Sequence, residues 1–316
     1  AKKSKKYEKK GQEAKVNDEA AAAQEKAIEK LPKDVQEKLK GIKTKLEKFQ
    51  KKILDKFDKY IAGVALMPPP KEGEQNEEGQ KQPVDKDKIN VLVLVDDSDS
   101  KKMSKQELKE KLTAIMDNLA KEVDKNLMPQ TVMLSELWQN CYDGKHELLQ
   151  LIALSAPIFD RGMLAAIKIS EVHKTMVLKK FEKYIISYVL AGSLVQGKAT
   201  PTSDIDVWIV IDDTDVKKMT RAELKDKLRA IIIGMGIEAG ELTGIKNKIN
   251  IQVYILTDFW DSLREANPII FTLLRDGVPF YDRGIFMPWK QLLKMGKIKP
   301  SAEAIDMFMG SGEQML

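Results

Sequence analysis

A single cysteine and two histidines are all that the 316 residues offer to thiol chemistry and imidazole ligation. Cys141 alone forms no intramolecular disulfide, and there is no cysteine cluster for zinc. His146 and His173 lie far apart among residues of helical character, which suits solvated or core imidazoles. No apolar run nears the ~18 residues of a membrane-spanning helix, and no secretory signal is expected. The expectation is a cytoplasmic protein without a membrane partner. Charge is plentiful instead: 32% of residues are Asp, Glu, Lys or Arg, and the length suits two domains with cores of their own.

That charge is unevenly placed. Residues 1–60 hold 19 Lys against 11 Asp and Glu, a net of +8, whereas the whole chain carries +5. The remainder is therefore acidic by three charges. Lys2, Lys3, Lys5, Lys6, Lys9 and Lys10 form the densest run. Residues 1–32 read as a basic, disordered arm that attracts phosphate backbones, with RNA or a ribonucleoprotein as the polyanionic partner and a solubilising tail as the alternative. Beyond the arm, Val35, Leu39, Ile42, Leu46, Phe49, Ile53 and Phe57 recur at spacings of four and three. This predicts a long amphipathic helix with a narrow apolar seam, docked on one of the domains.

The chain repeats itself. Residues 96–115 and 212–231 share thirteen identities in twenty positions at an offset of 116. Each copy follows an apolar strand, and each opens a helix with a capping box, Ser104 with Glu107 and Thr220 with Glu223. Leu134-Ser135-Glu136-Leu137-Trp138 is answered by Leu256-Thr257-Asp258-Phe259-Trp260. Pro157-Ile158-Phe159-Asp160-Arg161-Gly162 is answered by Pro279-Phe280-Tyr281-Asp282-Arg283-Gly284. The period is too long for a solenoid, so the reading is a tandem pair of α/β domains. Residues 33–169 hold the long helix and first domain, and residues 170–316 hold the second. In the second, helices are expected at His173 to Ile186 and Arg221 to Ile233. Strands are expected at Tyr188 to Ala191, Ile205 to Ile211 and Ile249 to Leu256. The recurring Trp138 and Trp260 read as core.

One stretch carries chemistry. Gly192-Ser193 is followed by ten residues, Leu194 to Ser203, then Asp204-Ile205-Asp206 and the apolar run Val207 to Ile211. In a strand, residues two apart share a face, so Asp204 and Asp206 present their oxygens together. Paired carboxylates suit Mg²⁺ or Mn²⁺ alongside substrate phosphates, and the Gly-Ser turn offers backbone N–H groups to a triphosphate. This constellation resembles the signature of the DNA polymerase β-like nucleotidyltransferase superfamily. The resemblance implies an α/β (α+β) fold, a small mixed sheet flanked by helices. It also implies nucleotidyl transfer from a nucleoside triphosphate, with Asp204 and Asp206 as catalytic metal ligands and Gly192, Ser193 and Ser203 near the phosphates.

Two departures follow from the same resemblance. In the first domain, Pro68 and Pro69 stand where the second has Gly192 and Ser193, and Lys88 and Asn90 replace Asp204 and Asp206. Proline has no N–H to offer and an ammonium repels Mg²⁺, so that copy is expected to be a catalytically inactive domain. Superfamily members carry a third carboxylate on the next strand. Here that strand, Ile249 to Ile255, offers Asn250 or Gln252, both amides unable to act as a base near neutral pH. The expectation is therefore a Mg²⁺- or Mn²⁺-dependent nucleotidyltransferase of low activity, acting on RNA, protein or a small molecule. The alternative is a non-catalytic member of the fold that binds RNA or a ribonucleoprotein.

Overall fold

The computed structural model describes residues 33–69, 88–100, 103–198, 200–214, 219–265, 267–299, 302, 305, 306 and 309. The lysine arm lies outside the described residues, as do residues 70–87. The chain divides into two compact units. One comprises Ala1–Leu134, Leu154–Leu164 and Thr200–Thr202; the other comprises Ser135–Ala153, Ala165–Ala199 and Ser203–Leu316.

The first unit contains helix α1 (Lys33–Phe57), strands β1 (Ile61–Leu66) and β2 (Ile89–Val95), helix α2 (Lys105–Lys121), and strands β3 (Leu127–Met133) and β4 (Ala156–Asp160). Its sheet runs β3-β2-β1-β4, with β2 and β3 parallel and β1 antiparallel to both neighbours. The apolar seam of α1 docks on this sheet. Leu46, Phe49 and Ile53 are buried against Val91, Val93, Val95, Met116 and Leu119. Side chains of that size contribute roughly 1.5–3 kcal/mol each when fully buried, which fixes α1 in place despite its lysine-rich outer face.

The second unit holds α3 (Leu134–Tyr142), α4 (Glu147–Leu154) and most of α5 (Met163–Phe181). Then come β5 (Ile185–Ala191), β6 (Ile205–Ile211), α6 (Arg221–Thr243), β7 (Ile249–Ile255), α7 (Leu256–Arg264), α8 (Pro268–Asp276), β8 (Val278–Asp282) and α9 (Phe286–Lys294). The sheet order is β7-β6-β5-β8, with the same strand directions as the first. Even the irregularities match. β1 slips register against β2 between Ile61 and Gly63, and β5 does so against β6 between Ile185 and Ser187. The fold is thus mixed α/β with two four-stranded mixed sheets flanked by helices.

Local signals account for the element ends. Thr220 and Glu223 close a reciprocal capping box at α6, at 3.2 and 2.8 Å, and Ser104 caps α2. The two Asp-Arg-Gly turns prove to be helix starts. Asp160 accepts N–H bonds from Gly162 and Leu164, and Asp282 accepts from Phe286 and Met287. Capping by Asp160 also corrects the extent of α5, which begins at Met163 rather than His173 and yields to β5 at Ile185. The sequence boundary at residues 169 and 170 falls inside this helix. A second correction concerns tryptophan: Trp138 is buried, but Trp260 is 53% exposed and leans on Trp289 at 5.5 Å.

His173 is a core residue. Its Nε2 donates to the carbonyl of Ile232 at 3.0 Å, so its Nδ1 accepts from the Tyr188 hydroxyl at 2.9 Å. Burial pushes its pKa down to about 4. The unfolded chain takes up that proton near pH 6.5 and the folded protein only near pH 4, so stability falls as pH drops through this window. Between pH 7 and pH 5 the loss from this residue is about 2 kcal/mol. Urea unfolding at the two pH values should show it, and His173→Gln should flatten the difference.

Candidate nucleotide-binding site

The site is assembled at one end of the second sheet. In register, Ala191 of β5 lies opposite Asp206 of β6, which lies opposite Asn250 of β7. Alternation along β6 puts Val207, Ile209 and Ile211 in the core and turns Asp206 and Trp208 to the other face. Asp204 precedes the strand and is solvent-exposed, whereas Asp206 is half-buried. Asp206 thus stands at the end of the sheet on the face away from Val207 and Ile209, with exposed Asp204 two residues before it, outside the strand.

The Gly-Ser turn covers Asp206. Residues 192–197 form consecutive turns after β5, closed by hydrogen bonds from Lys198 N to Ser193 O and from Gly197 N to Leu194 O. Gly192 has φ of +75°, and a methyl group on it would collide with the Asp206 carboxylate. Glycine is required twice over here, for the backbone angle and for the close approach. Gln196 ties the same turn to the end of α8 through Asp276 at 3.1 Å. Asp276 is itself gripped by two guanidinium nitrogens of Arg275, Nε and Nη2, which holds its carboxyl below the usual range. The Ser203 carbonyl, just before the carboxylates, accepts from the side chain of Asn247 at 2.9 Å.

The structure resolves which amide stands in the third position. Asn250 is directly across from Asp206, and its Nδ2 donates to Asp206 Oδ1 at 2.9 Å. Gln252 pairs with Trp208, one step further into the sheet, and its Nε2 reaches Asn250 Oδ1 at 3.5 Å. Among the described residues no group of three or more His, Cys, Asp or Glu could hold a metal ion. Two carboxylates and an amide are what the site offers. The corresponding row of the first unit is Met67, Asn90 and Met128, with Met67 N bonded to Asn90 O at 2.9 Å and Lys88 exposed before the strand. Pro68 and Pro69 follow directly.

Other carboxylates serve the scaffold. Asp212 turns back on Thr214 at the far end of β6, and Asp258 pairs with Lys225. Asp213, which sequence reasoning passed over, is buried. It accepts from the Thr257 N–H at the start of α7 and from the Thr257 hydroxyl, and pairs with Arg221 at 3.1 Å. Its recurrence as Asp97, also buried, was the available signal. Lys290 had none. Its ammonium caps the end of α8 by donating to the carbonyls of Leu274, Arg275 and Gly277, and burial lowers its pKa to about 8.

Residues 172–252 match the nucleotidyltransferase domain family, a span running from α5 through the Gly-Ser turn and the two aspartates to the amide position. This part of the chain belongs to the nucleotidyltransferase superfamily. Over 127 residues, 40% of this chain and 76% of the relative, it is 29% identical to "Putative protein adenylyltransferase MJ1305" of Methanocaldococcus jannaschii.

Two glycines separate the backbone requirement from the steric one. Gly284 has φ of +84° with open space around it, so Gly284→Ala should cost about 1 kcal/mol, the backbone contribution alone. Gly192→Ala adds the collision with Asp206 and should cost about 2–4 kcal/mol. Comparative urea unfolding of the two variants checks the difference.

Proposed function

We propose that the second unit is a Mg²⁺- or Mn²⁺-dependent nucleotidyltransferase of low turnover, transferring a nucleoside monophosphate from a nucleoside triphosphate to a hydroxyl acceptor. The observation that carries this reading is the placement of Asp206 directly under the Gly192 turn, with exposed Asp204 two residues before it. Hard, solvent-accessible oxygens beside a turn rich in backbone N–H groups fit a divalent cation that keeps most of its ligands from water and phosphate. Asp204 and Asp206 would hold that ion, whose charge offsets the charge developing on the phosphates. The acceptor oxygen bonds to the α-phosphorus as the bond to pyrophosphate breaks. Asn250 cannot take the acceptor's proton, which passes to water, and this slows the reaction. A protein hydroxyl is the favoured acceptor, supported by the name of the archaeal relative. The first unit, with Lys88, Asn90 and two prolines at the matching positions, is read as non-catalytic.

A second reading is favoured by one observation: the Asn250 amide already occupies Asp206 Oδ1. On this reading the protein binds nucleotide without turnover and engages RNA or a ribonucleoprotein through Lys2 to Lys10. Incubation with α-phosphate-labelled nucleoside triphosphates, Mg²⁺ or Mn²⁺, and cellular protein and RNA separates the two. Label transfer lost in Asp204→Ala and Asp206→Ala is the result expected of the transferase. Asn250→Asp should then raise the transfer rate by about tenfold or more, by restoring a base. Absence of transfer by both the native chain and Asn250→Asp, with salt-sensitive RNA retention lost on removing residues 1–15, would establish the second reading instead.

A further inference from the structure

Helix α6 is apolar on two opposite sides. Its inner side, Leu224, Leu228, Ile232, Met235 and Ala239, is buried. At 100° per residue, Ala230, Ile233, Gly234 and Ile237 cluster directly opposite, and all four are exposed, Ile237 at 65%. The matching positions of α2, at the repeat offset of 116, are Ala114, Asp117, Asn118 and Lys121. The fold therefore has no need of isoleucine there, since the equivalent helix on an equivalent sheet manages with charge.

Gly234 adds an independent observation. Glycine inside a helix costs about 1 kcal/mol relative to alanine. For Gly236 the structure shows the reason: a Cβ there would meet the Ile251 side chain at 2.9 Å. A Cβ at Gly234 would meet nothing within 4 Å. Among the described residues the absent side chain makes room for nothing, so close backbone approach by a second chain is the structural use it suits.

The charges beside the stripe identify what approaches. Lys227 and Glu241 stand seven residues to either side of Gly234, both exposed and both on the same flank of the stripe. A helix laid antiparallel on a copy of itself about Gly234 sets Lys227 of each against Glu241 of the other, and brings Ile237 level with Ile231 and within one residue of Ala230. The stripe is complementary to itself, as a twofold interface demands. We propose that this outer face of α6 docks against the same face of a second copy of this chain, the helices antiparallel and crossing at Gly234. The face lies across the sheet from Asp206, so both nucleotide sites stay open in the pair.

Sedimentation equilibrium of the full chain at low salt is expected to show a monomer–dimer equilibrium. Ile237→Lys should leave a monomer with unchanged circular dichroism. Lys227→Glu and Glu241→Lys should each weaken the dimer by about fivefold, two ion pairs being lost, and the double variant should restore it. Gly234→Cys should form an intermolecular disulfide under mild oxidation, helix contact there bringing the two Cα atoms within reach of about 4.4–6.8 Å. The native thiol will not interfere, since Cys141 is buried and its pKa is pushed up to about 12. A chain that stays monomeric up to its solubility limit overturns the proposal. So does a dimer indifferent to Ile237→Lys, one that the charge exchange fails to restore, or one in which the introduced thiol does not cross-link.

Discussion

The approach of the Gly192 backbone to the Asp206 carboxylate is the contact around which the second unit is arranged. It requires a residue without Cβ at the end of β5, a turn of left-handed sense, and a carboxylate in the neighbouring strand at that one register position. Strand register supplies the last of these. A slip of one residue would send Asp206 to the face that Val207 and Ile209 now bury, and turn those two away from it. Burial of the apolar face thus holds the charged face in place. The energy that positions the carboxylate comes from the residues behind it.

Around that contact the polar groups are tethered rather than free. Gln196 and Asp276 tie the turn to α8, and Lys290 caps the same helix on three carbonyls. Asp213 joins the far end of β6 to the start of α7. Such bonds cost side-chain entropy, yet they leave a rigid floor on which a phosphate chain could be laid with little reorganisation. The amide of Asn250 completes the floor and also limits it. It satisfies Asp206 in the absence of any cation, which a third carboxylate could not do without repulsion. A more stable, self-satisfied site is the physical counterpart of the low turnover proposed for it.

The two sheets make the comparison internal to one chain. Strand order, directions and register slips agree between them, while the row that holds Asp206 and Asn250 in one holds Asn90 and Met128 in the other. Met128 is 44% exposed, an apolar side chain where a ligand would need a polar one. The helices diverge similarly: α2 carries charge on its outer side where α6 carries isoleucine. Each unit keeps its core and differs where the core imposes nothing.

Period-two alternation and the Gly-Ser to Asp-x-Asp spacing were enough to place β6, Asp206 on it and the turn above, because these are short-range patterns set by backbone geometry. The apolar seam of α1 was legible for the same reason, as were the capping box of α6 and the Ser104 cap of α2. The choice between Asn250 and Gln252 was not, since both share a strand face and only pairing with β6 ranks them against Asp206. The start of α5 was missed because Asp160 caps it from beyond the recognisable periodicity, and Trp260 because repetition of a residue says nothing about what covers it. Lys290 carried no local signal at all; its three acceptors lie thirteen to sixteen residues away and meet only when α8 and α9 pack. Sequence alone determined the elements, the motif and its chemistry, all functions of neighbours along the chain. Tertiary structure decided which groups stand opposite Asp206 and which surfaces remain uncovered, because both depend on contacts between segments distant in sequence.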